Sequence, residues 1–150
     1  MSLFLDERVS EHARTAPDAP SIGTPAGWQT YGELATRARH LAASLQASNI
    51  GPGTFVLNVL PNSAASVVAG LAIQRTGACL VEVNRDWGSA FITKVARITN
   101  ARHAIVHARD ASRRSDGGDS DSYERALSFA NFPPRLPPRL CGIAAKIFAR

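Results

Sequence analysis

Two short apolar runs frame the most regular part of the chain: FVLNVL at residues 55–60, broken only by Asn58, and CLVEV at residues 79–83. Bounded by glycine and proline, such runs predict strands of a parallel sheet covered on both faces. Cys79 is accordingly expected to be buried. Between the runs lies a stretch that is apolar almost all round: Ala64, Ala65, Val67, Val68, Ala69, Leu71, Ala72 and Ile73. A helix of that kind needs burial on more than one side. Asn62 or Ser63 is placed to cap it, and Gly77 to stop it after about Thr76. Gly70 in its interior costs roughly 1 kcal/mol relative to Ala, so close approach to the sheet is the expected compensation. Residues 53–84 therefore read as one βαβ unit with a right-handed crossover.

The flanking patterns extend this unit in both directions. Phe4, Leu5, Val9 and Ala13 have a loose helical spacing, and the helix should end before Pro17. A short strand is predicted at residues 19–23, followed by a turn over Thr24-Pro25-Ala26-Gly27. Thr30-Tyr31-Gly32-Glu33 forms a capping box, in which hydroxyl and carboxylate each satisfy an amide of the other residue. The helix it opens places Leu34, Ala38, Leu41 and Leu45 on one face, and Asn49 sits where a left-handed terminating residue belongs. After residues 84–88, Phe91, Ile92, Val95 and Ile98 predict a further helix, and residues 103–107 one more strand. From Ala111 the pattern changes. RRSDGGDSDS is polar and of low complexity, residues 123–129 could form a helical turn or two, and a duplicated PPRL at residues 133–140 favours polyproline II. The last ten residues are weakly amphipathic and too short to be helical alone. The expected organisation is an ordered portion over residues 1–110 and a disordered Pro/Arg-rich tail over residues 111–150. The expected fold class is α/β: a partial doubly wound, mostly parallel sheet with flanking helices.

Composition adjusts this picture little. The chain has 150 residues, 45% hydrophobic and 19% charged, as expected for one soluble domain with a real core. Its net charge of +5 raises nucleic acid as a partner. No basic stripe is present, however, and aromatic residues do not interleave with the arginines, so no nucleic-acid binding is expected. Leu3-Phe4-Leu5 meets Asp6 and Glu7 at once, too early for a signal segment. The long stretch free of charged residues is broken by Gly51-Pro52-Gly53 and Pro61-Asn62-Ser63, so no membrane span is expected. Cys79 and Cys141 form no spacing pattern, which with the absent leader points to a cytoplasmic setting.

The order of signals resembles a known family. GWQTYGELATRARHLAASL, the Asn-Ile-Gly-Pro-Gly turn, VLNVLPNS and TGACLVEVN together are similar to the N-terminal subdomain of the AMP-forming, adenylate-forming ligases. That superfamily includes acyl-CoA synthetases and peptide-synthetase adenylation domains. EHARTAPDAPSI fits its opening helix and strand, so the resemblance covers about residues 3–108. It implies activation of a carboxylate with ATP and Mg²⁺ to an acyl-adenylate, then transfer to coenzyme A or another thiol. Some positions depart from the family pattern: Thr54 where Asp is common, Asn49 where Gly is common, and Glu82 and Arg85 where prolines are frequent. The family's phosphate loop, its Tyr-Gly-x-Thr-Glu-type motif, its ribose-binding Asp and its catalytic Lys all come later, and residues 111–150 match none of them. No catalytic, cofactor-binding or metal-binding residue is therefore assigned, and ATP, Mg²⁺ and CoA are implied by the resemblance alone.

Four local features are candidate sites. Pro61-Asn62-Ser63 opens a helix at the carboxyl end of a strand, where α/β sheets collect ligands, but an ordinary helix cap explains it and no phosphate-binding glycine motif is present. His103 and His107 have a spacing that suits metal only on a helix; on a strand they stand about 13 Å apart. Asp116, Asp119 and Asp121 lack the offsets and closing Glu of a calcium loop. The PPRL repeat could dock on an SH3-like groove, but a non-specific or incidental Pro-rich tail is the better explanation. The expectation is a truncated AMP-dependent ligase, inactive alone and reliant on a separate chain for the rest of its fold. The alternatives are a small acyl- or nucleotide-binding module, or an interaction protein acting through its Pro-rich tail.

Overall fold

In the computed structural model, residues 4–107, 126–128 and 143–147 are described. They carry helix α1 (Leu5–Thr15), strands β1 (Pro20–Thr24) and β2 (Gly27–Thr30), and helix α2 (Tyr31–Ala47). Strand β3 (Phe55–Asn58), helix α3 (Ala64–Arg75) and strand β4 (Cys79–Glu82) follow. A 3₁₀ turn (Arg85–Trp87), helix α4 (Gly88–Thr99) and strands β5 (His103–His107), β6 (Ala126–Ser128) and β7 (Ile143–Ile147) complete the order. The chain divides into two compact units, Met1–Thr54 with Asn62–Leu80, and Phe55–Pro61 with Val81–Arg150.

The first unit is a helical layer with a small hairpin. β1 and β2 pair antiparallel. The capping box forms as the sequence requires: Glu33 N donates to Thr30 Oγ1 at 3.2 Å, and Thr30 N donates to Glu33 Oε2 at 3.1 Å. α2 buries Leu34, Ala35, Ala38, Leu41, Ala42 and Leu45, and packs against α3 and α1. It ends in a Schellman motif. Asn49, at φ 60, donates to Gln46 O at 2.9 Å, and Ile50 N donates to Leu45 O at 3.0 Å. Leu45 and Ile50 are both buried, which supplies the apolar contact that accompanies this ending.

α3 is capped by Ser63, whose hydroxyl accepts from Ser66 N, and buries a continuous run from Val68 to Ile73 that includes Gly70. It stops at Gly77, at φ 78. That glycine also faces Pro52 so closely that an added Cβ would stand 3.0 Å from Pro52 Cγ. Two independent demands thus fall on one position. At the same end of α3, Arg75 donates to both carboxylate oxygens of Asp6, at 3.1 and 3.2 Å, and to Ser10 Oγ at 3.1 Å, tying α3 to α1.

The second unit is built on a sheet of strand order β4-β3-β5-β7-β6. β3 and β5 are parallel, with Val56, Leu57 and Asn58 opposite His103, Ala104 and Ile105. β4 runs the same way, since its flanking amides at Cys79 and Val83 bond in step to the carbonyls of Thr54 and Asn58. The expected α/β class with a parallel sheet and flanking helices is therefore observed. α4 covers one sheet face: Ile92 and Ala96 pack with Leu57, Val59, Val83, Ala101 and Ala104. Its end repeats the motif of α2, with Asn100 at φ 53 and Ala101 N donating to Ala96 O at 2.9 Å.

Three expectations need correction. Cys79 is exposed rather than buried, because the strand order puts β4 at the sheet's edge. Residues 126–128 form a strand where a short helix was expected, paired antiparallel with β7. Residues 143–147 are likewise a strand, antiparallel to β5, so the sheet is parallel on one side and antiparallel on the other. The remainder of the predicted 111–150 tail, with the PPRL repeat and Asp116, Asp119 and Asp121, lies outside the described residues.

Candidate functional site

The carboxyl ends of the parallel strands are where a ligand site would form in such a sheet. β3 ends in Asn58, a fully buried carboxamide in an otherwise apolar run. Burying a primary amide without partners costs several kcal/mol, so its contacts explain why it is tolerated. Asn58 Nδ2 donates to Glu82 Oε1 at 3.0 Å, while the backbone carbonyl of Asn58 accepts from Val83 N at 3.0 Å in the strand ladder. Glu82 is the last residue of β4, so one carboxamide–carboxylate pair joins the ends of two neighbouring strands. This is the polar arrangement that sequence reasoning passed over. Two signals could have found it: the lone polar residue in FVLNVL, and a Glu where the family favours proline.

The chain just beyond is also organised by its own side chains. Asn84 Oδ1 accepts from Asp86 N at 2.9 Å and caps the 3₁₀ turn, taking up the bend that leads into α4. Arg85 lies 3.8 Å from Asp86 in a loose surface pair. At the other turn, Thr54 Oγ1 accepts from Gly51 N at 3.4 Å while Thr54 N donates to Gly51 O at 3.0 Å. The departures from the family pattern at Asn49, Thr54 and Glu82 therefore each bring a hydrogen bond or a terminating conformation of their own.

The flagged residues fall as follows. Ser63, not Asn62, is the cap of α3, and the Pro61-Asn62-Ser63 corner is used to start a helix. His103 and His107 lie at the two ends of β5, on a strand, so their spacing does not converge on a common point. Burial of His103, reinforced by the neighbouring Arg102 charge, lowers its pKa from the ordinary value of 6.5. Its Nδ1 is buried and meets no hydrogen-bond partner among the described residues. No cluster of three His, Cys, Asp or Glu side chains suited to a metal occurs among the described residues. No helix among them is long and apolar enough to cross a membrane.

These elements have counterparts in known proteins. The profile of the AMP-binding enzyme family matches residues 9–134. The chain is 33% identical over 103 residues to apicidin F synthase of Gibberella fujikuroi, an alignment covering 69% of this chain and 2% of that protein. It is 26% identical over 148 residues to the nonribosomal peptide synthetase benY of Aspergillus terreus, covering 92% of this chain and 13% of that protein. Among solved structures, it resembles the Klebsiella oxytoca NpsA N-terminal subdomain in complex with 3-hydroxybenzoyl-AMSN. That match has a TM-score of 0.64 and 27% identity, and covers 68% of this chain and 26% of the other. The chain belongs to the AMP-binding enzyme family, and its similarity is to the N-terminal subdomain of peptide-synthetase adenylation domains. It spans only a small part of the proteins it matches.

Proposed function

We propose that residues 1–110 are the opening portion of a carboxylate-activating adenylation domain of the peptide-synthetase type, and that the 150-residue chain is inactive alone. The observation that carries this reading is the match to about a quarter of the NpsA N-terminal subdomain, over 68% of this chain. The physical warrant is electrostatic. Adenylation requires donors and cations fixed around the α-phosphate as charge develops there, and such groups supply the largest share of catalysis in reactions of this kind. The polar groups at the strand ends here are instead spent on each other, Asn58 on Glu82 and Asn84 on its own turn. ATP, Mg²⁺ and the acceptor thiol would be held by the rest of the fold, supplied by a separate chain or by a continuation of this one. A cytoplasmic setting, where ATP and Mg²⁺ are available, suits that chemistry.

Two measurements test this reading. The purified chain should support no ATP–pyrophosphate exchange with any of the standard amino acids or with aryl acids such as 3-hydroxybenzoate. Calorimetry with ATP, AMP and acyl-CoA should show no heat of binding. Saturable binding without exchange would favour the small-ligand module instead, and exchange above background would overturn the proposal altogether.

A further inference from the structure

The sheet is continued on one side by a strand of a different kind. β4, β3 and β5 run parallel, whereas β7 is antiparallel to β5 and pairs along its whole length, from His103 opposite Ile147 to His107 opposite Ile143. β7 also lies beyond residues 9–134, the span that the AMP-binding family profile matches. The place it takes follows from the topology. The chain passes from β3 to β4 on one side, then crosses back to β5 on the other, the reversal that marks a doubly wound sheet. Strands that follow such a reversal add outward on the new side, so the outer edge of β5 is where a next parallel strand belongs. The match to the NpsA N-terminal subdomain covers 26% of that chain, so most of such a fold lies outside the matched portion.

The backbone phase shows what β7 holds. Val59 N donates to Ile105 O, so Ile105 turns its amide and carbonyl toward β3. Ala104 and Val106, one residue out of phase, turn theirs toward β7, where Lys146 and Ala144 stand opposite. By the same alternation Ala145 faces β6, opposite Leu127. Two bonded pairs therefore close the β5 edge, and the described sheet ends behind them in the three-residue β6. An antiparallel pair of that size has little stability of its own. We infer that β7 is an autoinhibitory strap. It occupies the β5 edge in place of the next parallel strand, and must peel away before the rest of an adenylation fold can extend the sheet there. Until then it keeps a bare edge from templating other strands. What replaces β7 rests on the proposed function; that β7 is a removable cover does not.

Native-state hydrogen exchange on the full 150-residue chain separates a strap from an integral strand. The protection factors of Ala104 and Val106, which report β7, should fall at least about tenfold below that of Ile105, which reports β3. Equal protection at all three would overturn the inference, because β7 would then open only with the whole sheet. No protection at Ala104 and Val106 would overturn it too, because β7 would then not cover the edge. Ala144→Pro removes the donor opposite Val106 and should release the strap, stripping protection from Ala104 and Val106 but not from Ile105. In sedimentation the released chain should associate more strongly than the wild type, as a bare edge does. A released chain that associates no more than the wild type would refute a pairing edge beneath β7. If the variant does not fold, the wild-type protection factors decide alone. None of these readouts involves ATP or a carboxylic acid, so their failure is distinct from a failure in the ATP–pyrophosphate exchange assay.

Discussion

Gly77 carries two demands that can be separated by experiment. Its φ of 78 is a left-handed conformation, and an added Cβ would stand 3.0 Å from Pro52 Cγ. Two neighbouring glycines provide the controls. Gly53, at φ 80, has nothing within 4 Å of a would-be Cβ, and Gly51 meets only Thr76 O, at 3.7 Å, with no positive φ. Gly51→Ala should therefore be neutral, or stabilising by up to about 1 kcal/mol through the unfolded chain. Gly53→Ala should destabilise by about 1 kcal/mol, since the left-handed penalty of roughly 1–2 kcal/mol is partly offset by that same gain. Gly77→Ala adds a contact tighter than close packing allows, at roughly 1–3 kcal/mol, for a total of about 2–4 kcal/mol. Urea unfolding followed by circular dichroism, at one low protein concentration, reads all three. Pro52→Ala in the Gly77→Ala background should recover part of the loss. If Gly77→Ala unfolds no earlier than Gly53→Ala, the contact with Pro52 does not constrain the end of α3 and the argument fails.

Other perturbations test other links. Thr30→Ala removes one half of the capping box and should cost about 1 kcal/mol, with Thr30→Ser restoring most of it in the same urea titration. His103 has a folded pKa below 6.5, so as pH falls through 6.5 the unfolded chain takes up a proton that the folded chain resists. The stability linked to His103 is thus present above pH 6.5 and lost as pH drops toward the folded pKa; His103→Gln should flatten the slope of stability against pH in that window. A slope unchanged by the substitution would mean that the imidazole is not desolvated as described.

Where the fold was legible, the signal was local. Thr30 and Glu33, Asn49, Ser63 and Gly77 each announce a helix end through the chemistry of one or two side chains, and the structure uses them so. The apolar spacing of α2 likewise names its buried face. What the local pattern missed depends on strand order and distant pairing. CLVEV reads as a buried strand because its composition suits one, yet exposure of Cys79 follows from β4 being last in the sheet. Residues 126–128 lie in a helix-compatible stretch, and their strand is made by β7, some twenty residues on. The pairing of Asn58 with Glu82 joins residues 24 apart in sequence, and neither residue alone suggests it. The chemistry expected from the family was legible only as an expectation, since the residues that would carry it come later in the family's pattern.

The interleaving of the two units bears on how the chain is made. One unit takes residues before 55 and again 62–80, and the other takes 55–61 and then everything from 81, so no single cut in the polypeptide separates them. During synthesis, β3 leaves the ribosome at Asn58, its neighbour β4 follows from Cys79, and its other parallel partner β5 starts only at His103, 45 residues after Asn58. At about 5–20 residues per second, the side of the FVLNVL segment that β5 covers waits roughly 2–9 s for it. Throughout that interval α1, α2 and then α3 can assemble, while an apolar strand of the other unit remains open to nascent-chain chaperones. A stall or rare-codon pause within residues 59–102 would lengthen that interval and raise the yield of aggregated chain without altering one contact of the finished fold.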